Sequence, residues 1–330
     1  MNIQQVTNYS LNPVFTAKKD ISNYATKPMK QDSFERSSEE FNLDNSMKTL
    51  ADIRMSNGKK KFHQGNLNTL EGYLKEEPKK WDSIYKLAKN PDMKADFVYL
   101  IASKPLEQLN MLTQISEIKD EKGNNKYSGK EMMQFADKLM PEELEKALPL
   151  TKTKMSVKNI VLVAQTKNIP STEKITEKVL EMEQVVGKDL QEVQFTRNRY
   201  VKDEYVISAK MQDNNEKKAF FNKDLKQEAI EDTTSYITSN GKKYFVKKSS
   251  DFRNNTTSKV TLREDKKVGR PVFENEVRIV KDKNNKVKYY EYTSHSQVNG
   301  VYDIVRQTPN GGKKVRSEER RVGKECRSRW

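Results

Sequence analysis

The pattern of apolar and polar positions changes once along the chain, near residue 195. Before it, apolar residues recur at helical spacing; after it they alternate with polar ones. The helical part opens at 46–57, where Met47, Leu50, Ile53 and, more weakly, Met55 stand at near-helical spacing and Asn57-Gly58 ends the helix as a C-cap would. From 62 to 194 it is organised around four prolines, Pro78, Pro105, Pro141 and Pro170, each between two short half-apolar stretches. The first turn of a helix does not use its N–H groups, and the fixed φ of proline suits that turn, so these prolines read as helix starts. Eight residues before each stands an apolar side chain, Leu70, Phe97, Met133 and Leu162. The pattern predicts an internal repeat of helix, turn and helix, with proline opening the second helix. The intervals are 27, 36 and 29 residues, and the long one contains a polar loop of seven, from Lys119 to Asn125.

A second alignment gives the same period. Tyr127-Ser128-Gly129-Lys130-Glu131-Met132-Met133 matches Met155-Ser156-Val157-Lys158-Asn159-Ile160-Val161, and a third copy starts at Val185 and is not completed. Ser128 with Glu131 has capping-box spacing. Apolar faces at Phe97, Val98, Leu100 and Ile101, and at Ile160, Val161, Leu162 and Val163, must be covered by neighbours, because one helix pair cannot bury them alone. Met132, Met133, Met140 and Met155 are expected in the core for the same reason.

Past 195 the runs 205–210, 236–238, 244–246, 260–262, 277–280, 287–292 and 302–305 alternate as strands do, with one further short helix expected at 224–232. Asn240-Gly241 is a strong hairpin signal, and Asn284-Asn285, Asn299-Gly300 and Asn310-Gly311 also fall at turns. The expected fold class is α+β: an N-terminal α-helical repeat domain, short and solenoid-like, followed by an antiparallel β-hairpin meander. The expected divisions are a disordered arm (1–45), the helical repeat domain (46–195), a basic β domain (196–312) and a tail (313–330). The arm is polar, with scattered Tyr9, Phe15, Tyr24 and Phe34 and no period.

Charge sharpens this division. The chain of 330 residues carries a net +15, but residues 61–195 hold 21 Lys, no Arg and 21 acids and are neutral, whereas 196–315 carry +10. No apolar run of about 18 residues predicts a membrane span, and the N-terminus lacks the basic start and apolar stretch of a signal peptide, so a cytoplasmic location is the default expectation. The single cysteine, Cys326, allows no disulfide within the chain.

Familiar catalytic and cofactor signatures are missing from the sequence: no phosphate-binding Gly-rich loop, no His-Glu-x-x-His and no Cys-x-x-Cys. His63 and His295 read as surface or loop residues. Ser294-His295-Ser296 cannot pair a nucleophile with a base, since neighbours on a strand point to opposite faces. Asp282 to Lys286 reads as a hairpin turn rather than a calcium loop, and Glu142-Glu143 as first-turn acids favoured by the helix dipole. No cofactor, metal or catalytic residue is expected. The one candidate site is a polyanion-binding surface in which Lys242, Lys243, Lys247, Lys248, Arg278, Lys286, Lys288 and Arg306 interleave with Tyr244, Tyr290 and Tyr292. Its competing reading is a solvated sheet face where lysines discourage edge-to-edge association.

Two resemblances add to this reading. Residues 62–194, through patterns such as Lys126-Tyr127-Ser128-Gly129-Lys130-Glu131, resemble short helical-pair repeats of uncharacterised proteins from gut-associated bacteria, a likeness that implies no activity. Residues 316–330, Arg-Ser-Glu-Glu-Arg-Arg-Val-Gly-Lys-Glu-Cys-Arg-Ser-Arg-Trp, resemble the translation of cloning or sequencing-adaptor DNA at the broken end of an assembled gene. That implies a non-native tail, an interrupted last hairpin at Asn310-Gly311-Gly312, and a native protein that continues further. The expected function is a non-enzymatic protein–protein interaction or scaffold role with a protein partner. The alternative is binding of nucleic acid or another polyanion through the basic β domain.

Overall fold

The computed structural model describes residues 41–253, 257–267, 270–284, 286–296, 301–311 and 313–319. From Leu43 onward the described chain is mixed α+β. Nine α-helices come first: α1 (Leu43–Asp52), α2 (Gln64–Glu76), α3 (Trp81–Lys89), α4 (Ala95–Ala102), α5 (Leu106–Ser116), α6 (Gly129–Lys138), α7 (Pro141–Leu150), α8 (Val157–Gln165) and α9 (Thr172–Val186). Then comes an antiparallel sheet of ten strands in sequence order: β1 (Leu190–Arg197), β2 (Tyr205–Met211), β3 (Glu216–Phe221), β4 (Gln227–Ile237), β5 (Lys243–Asp251), β6 (Thr257–Glu264), β7 (Phe273–Lys281), β8 (Val287–Ser296), β9 (Val301–Gln307) and β10 (Lys313–Glu319).

The prolines act as expected. Pro141 is the first residue of α7, Pro105 caps α5, Pro78 opens a 3-10 turn that runs into α3, and Pro170 stands just before the Ser171 cap of α9. Counting back eight residues, however, finds no common environment. Leu70 is buried, Phe97 and Met133 are half-buried and Leu162 is 56% exposed. The connection varies from one residue (Glu77) between α2 and Pro78 to four between α8 and Pro170, so a fixed count lands on different helix faces.

The feature that does recur lies at the start of each pair. Phe62, Met93, Tyr127 and Met155 each precede the cap of α2, α4, α6 or α8, and five residues later come Leu67, Val98, Met132 and Ile160; all eight are buried. This is the spacing of a hydrophobic staple, which fixes the angle at which the chain enters a helix. His63 Nδ1 accepts from the Gly65 and Asn66 N–H groups, and Ser128 and Glu131 close the predicted capping box. Of the four methionines expected in the core, Met132 and Met155 are buried. Met133 is half-buried, and Met140 is 68% exposed because it lies outside α7 as its cap.

Two pairs together form a longer unit. Leu50 and Ile115, Ile53 and Ile118, Gly58 and Gly123, Lys61 and Lys126, and Leu70 and Phe135 are each separated by 65 residues. Lys61 N–H donates to Ile53 O and Lys126 N–H to Ile118 O, both at 2.9 Å, while Gly58 and Gly123 take positive φ at the two tips. The chain at 53–61 is therefore a small hairpin. This corrects the helix expected over 46–57: α1 ends at Asp52, and Asn57-Gly58 is a hairpin tip. Residues 119–125 form its counterpart. Each hairpin ends in a lysine that supplies donors to the last carbonyls of a later helix: Lys61 Nζ to Ala88 and Asn90, Lys126 Nζ to Thr151 and Thr153.

The sheet begins at Leu190, where α9 and its 3-10 extension stop. The helix expected at 224–232 is instead the turn at Leu225, with φ 58°, followed by β4; pairing of Ala219 with Ile230 and of Lys218 with Glu231 overrides local propensity. The turns at Asn240-Gly241 and Asp282 form as expected, the latter with Asp282 Oδ1 accepting from the Asn284 and Lys286 N–H groups. The last hairpin, expected to break off at Asn310-Gly311-Gly312, pairs β9 with β10 from Lys313 to Glu319. Seven residues of the expected tail (313–330) thus lie in the sheet, four of them in the stretch that resembles adaptor translation. Asn285, Asn299-Gly300, residues 320–330 and most of the expected arm (1–40) lie outside the described residues.

Helices and sheet are joined at β1. Asn159, buried near the start of α8, receives the Phe195 N–H on Oδ1 at 2.9 Å and donates Nδ2 to Phe195 O at 3.1 Å. A side-chain amide thus does for the outer edge of β1 what a neighbouring strand would do, and it blocks that edge. Val193 N–H donates to Lys154 O, and Tyr205 Oη to Asn168 O.

Candidate functional site

The residues of the predicted polyanion surface are present but not brought together. Strand pairing puts Lys243, Lys247, Arg278 and Arg306 on one face of the sheet and Tyr244, Lys248, Tyr290 and Tyr292 on the other, with Lys288 unpaired at a bulge and Lys242 and Lys286 at turns. Several of the cations already hold carboxylates. Lys247 lies 2.6 Å from Glu231, Arg306 2.7 Å from Glu291, Lys242 2.7 Å from Glu264 and Arg278 3.2 Å from Glu276. Glu264 holds the Lys242 ammonium above its usual range, and Glu291 does the same for the Arg306 guanidinium. Lys243 lies over the Phe245 ring and Arg306 over Tyr289.

A concavity lies where the last helical pair meets the first strands, and of the predicted polyanion residues it takes in Lys247. It encloses about 890 Å³. One wall is the end of α8 and the following connection, with Leu162, Thr166 and Ile169; the floor carries Val206, Ser208, Lys218 and Phe220 of β2 and β3; Glu231 and Lys247 close the far side. The β1–β2 connection, 198–204, stands at its rim. A smaller recess of about 240 Å³ shares Asn198, Phe220 and Glu231 with it and continues toward Ser249, Ser250 and Arg253.

The rim loop is built by its own polar contacts. Asn198 Nδ2 donates to the buried Glu204 carboxylate, and Asn198 Oδ1 accepts from the Tyr200 N–H, so the chain turns back on itself. Arg253 Nη1 donates to Glu204 Oε1 at 2.8 Å and neutralises that buried carboxylate; Arg253 is also held to Asp251, which keeps the Asp251 carboxyl below its usual range. The turn pushes Tyr200 outward until it is 96% exposed, with Val201 beside it at 42%. Arg197 pairs with Asp203 at 3.3 Å, whereas Arg199 and Lys202 have no ion-pair partner among the described residues.

Sequence reading passed over this loop. Its signal was Arg197-Asn198-Arg199-Tyr200-Val201-Lys202, an aromatic and an aliphatic residue between cations at the point where the apolar period changes. A second cluster of perturbed groups sits behind β1. Burial raises the Glu183 carboxyl, which accepts from Lys154 N–H, and lowers the Lys126 ammonium, while Tyr127 Oη donates to Thr151 O. These groups hold helix ends together and line neither of the two concavities.

Among the described residues no group of three His, Cys, Asp or Glu is placed to hold a metal ion, and no helix is long and apolar enough to cross a membrane. In comparisons with known proteins, no family model, curated protein or solved structure matches the chain.

Proposed function

We propose that the protein is a non-enzymatic interaction scaffold. Its helices act as a short solenoid-like series of pairs whose last member holds a β-meander in fixed orientation, and a protein partner binds where the two meet. The repeat part of this reading is supported by the staples, the constant 65-residue offset and the packing order. In that order α2, α4, α6 and α8 contact one another in succession, as do α3, α5, α7 and α9. The observation that carries the interaction part is the apolar trough beneath a loop that exposes Tyr200 and Val201, since exposed aromatic and aliphatic side chains around a concavity are the composition of an interface. The polyanion reading has less support, because its cations are divided between two faces and several are ion-paired.

The test is site-specific photo-crosslinking in the full chain, with p-benzoylphenylalanine placed at Tyr200 and, as a control, at Ile237, the exposed last residue of β4. The scaffold reading expects a discrete protein adduct from Tyr200 alone in nuclease-treated extract of the native host. Adducts that vanish on nuclease treatment would favour the polyanion reading, and equal adducts at both positions would refute a localised interface.

A further inference from the structure

We infer that the trough takes an extended peptide whose apolar core is flanked by acidic residues, an inference that rests on the scaffold reading above. Shape, apolar surface and charge each point the same way. The concavity and the smaller recess adjoin at Asn198, Phe220 and Glu231, which line both, and the larger one alone crosses β2, β3, β4 and β5 from Val206 to Lys247. Three inter-strand spacings make that run about 14 Å, the span of about four extended residues. An open trough of this length across four strands fits an extended chain better than a compact small molecule.

The apolar contacts are at the mouth and on the floor. Leu162 on α8 and Tyr200 on the loop stand largely in water at the larger concavity, Val201 is part-exposed at the smaller recess, and Phe220 lines both, with Val206 in the larger. Leucine and phenylalanine side chains entering from solvent would cover these. Aromatic and arginine side chains at the centre of such a site are the ones that carry binding energy.

The charge is specific to the loop. The floor cations Lys218 and Lys247 are held by Glu216 and Glu231, and Arg197 by Asp203. Arg199 and Lys202, which bracket Tyr200 and Val201 in sequence, have no such partner among the described residues. Two unneutralised cations beside an apolar anchor select acidic residues on either side of the partner's apolar core and disfavour basic ones.

The experiment is fluorescence anisotropy with the full chain and three labelled peptides. One is acidic-flanked, Glu-Asp-Glu-Leu-Phe-Leu-Asp-Glu; one has lysine in place of every acid; one keeps the acids and has serine in place of Leu-Phe-Leu. The acidic apolar peptide should bind at least about tenfold more tightly than either other. Tyr200→Ser combined with Leu162→Ser should weaken it about tenfold or more; both positions are exposed, so folding is not at stake. Arg199→Glu combined with Lys202→Glu should invert the preference toward the lysine-flanked peptide, which a merely structural change would not do. Equal binding of the three peptides, or indifference to both variants, would overturn the inference. If no peptide binds at about 1 mM while Tyr200 still crosslinks a protein, the inference fails and the scaffold reading stands; if the crosslink is absent as well, both fail.

Discussion

Replacing Asn159 by leucine should loosen the sheet from the helices, and the cost follows from the geometry. The side chain is 7% exposed and makes two hydrogen bonds to one residue, 2.9 Å from the Phe195 N–H and 3.1 Å to its carbonyl. Each neutral hydrogen bond contributes about 1 kcal/mol net, and each buried backbone group left without a partner costs about 1–3 kcal/mol. Phe195 is itself buried, so leaving both its N–H and its carbonyl unpaired predicts a loss of about 2–6 kcal/mol, the second figure already containing the first. Leucine is close to asparagine in size, so cavity formation adds little. Urea denaturation measures the loss, and hydrogen exchange at the Phe195 amide locates it; protection there should fall while protection within α5 stays. Asn159→Asp separates the chemistry from the shape. Its ionised form still accepts from the N–H but presents a second oxygen to the Phe195 carbonyl, whereas its protonated form can donate to that carbonyl. Burial raises the pKa of the introduced carboxyl, so this variant should recover stability relative to the parent as pH falls through that raised value. A loss below about 0.5 kcal/mol for Asn159→Leu, within the range of an ordinary surface change, would refute the clamp. So would an Asn159→Asp deficit that does not respond to pH.

Lys61 is buried and its ammonium is lowered to about 8 by burial, with Asp92 opposing the shift. The unfolded chain therefore holds the proton between about pH 8 and 10.5 while the native chain has lost it, and the stability of the parent relative to Lys61→Met should rise across that window. The rise should be on the order of 2 kcal/mol, discounted for the solvent that still reaches the group; a flat difference would show that Lys61 is not desolvated. Gly129→Ala would set a Cβ 2.7 Å from the Phe97 ring and 2.8 Å from Asp92 O, and thermal denaturation should show a loss of about 1–3 kcal/mol. Gly72→Ala, inside α2 with nothing within 4 Å, should instead stabilise by about 0.5–1 kcal/mol; the same sign for both would contradict the packing of α6 on α4.

The helix pairs were legible because proline and capping chemistry act locally: Pro141 and Ser128 do in the fold what their spacing says. The register within the pairs was not. The prolines are tied to second helices through connections of different length, whereas the buried positions are tied to the caps of first helices, and only the latter keep a constant count. The offset of 65 residues lay in the sequence, but Phe62 with Tyr127 and Gly58 with Gly123 are dissimilar enough in their neighbours that a search for a 29-residue period passes over them. The first part of β4, residues 227–232, was misread as a helix because Gln227-Glu228-Ala229-Ile230-Glu231 favours a helix in isolation, and its pairing with β3 is non-local. The trough could not be seen at all: Leu162, Phe220 and Lys247 meet only after α8 has been laid against the edge of β1.

The sheet begins where a third hairpin would follow the pattern of 53–61 and 118–126, and its strands differ in what holds them. β1 and β2 contact α9, and five of the seven residues of β2 are buried. Farther out this support fades: β5 buries Phe245, β6 buries Thr261, and β7 and β8 bury none of their residues. The outer strands carry cross-strand ion pairs instead, Lys259 with Glu274 at 2.6 Å, Arg278 with Glu291 at 4.0 Å and Arg306 with Glu291 at 2.7 Å. Such part-exposed pairs contribute about 0.2–1 kcal/mol each and are screened by salt, whereas apolar burial is not. Two consequences are measurable by hydrogen exchange with mass spectrometry. Protection should decline from β2 to β8 at low ionic strength, and about 1 M sodium chloride should lower it in β6–β8 while leaving β2 unchanged. Equal protection across all strands, or an equal response to salt, would mean that the sheet opens as one cooperative unit and that the ion pairs on its charged face contribute nothing to holding the outer strands.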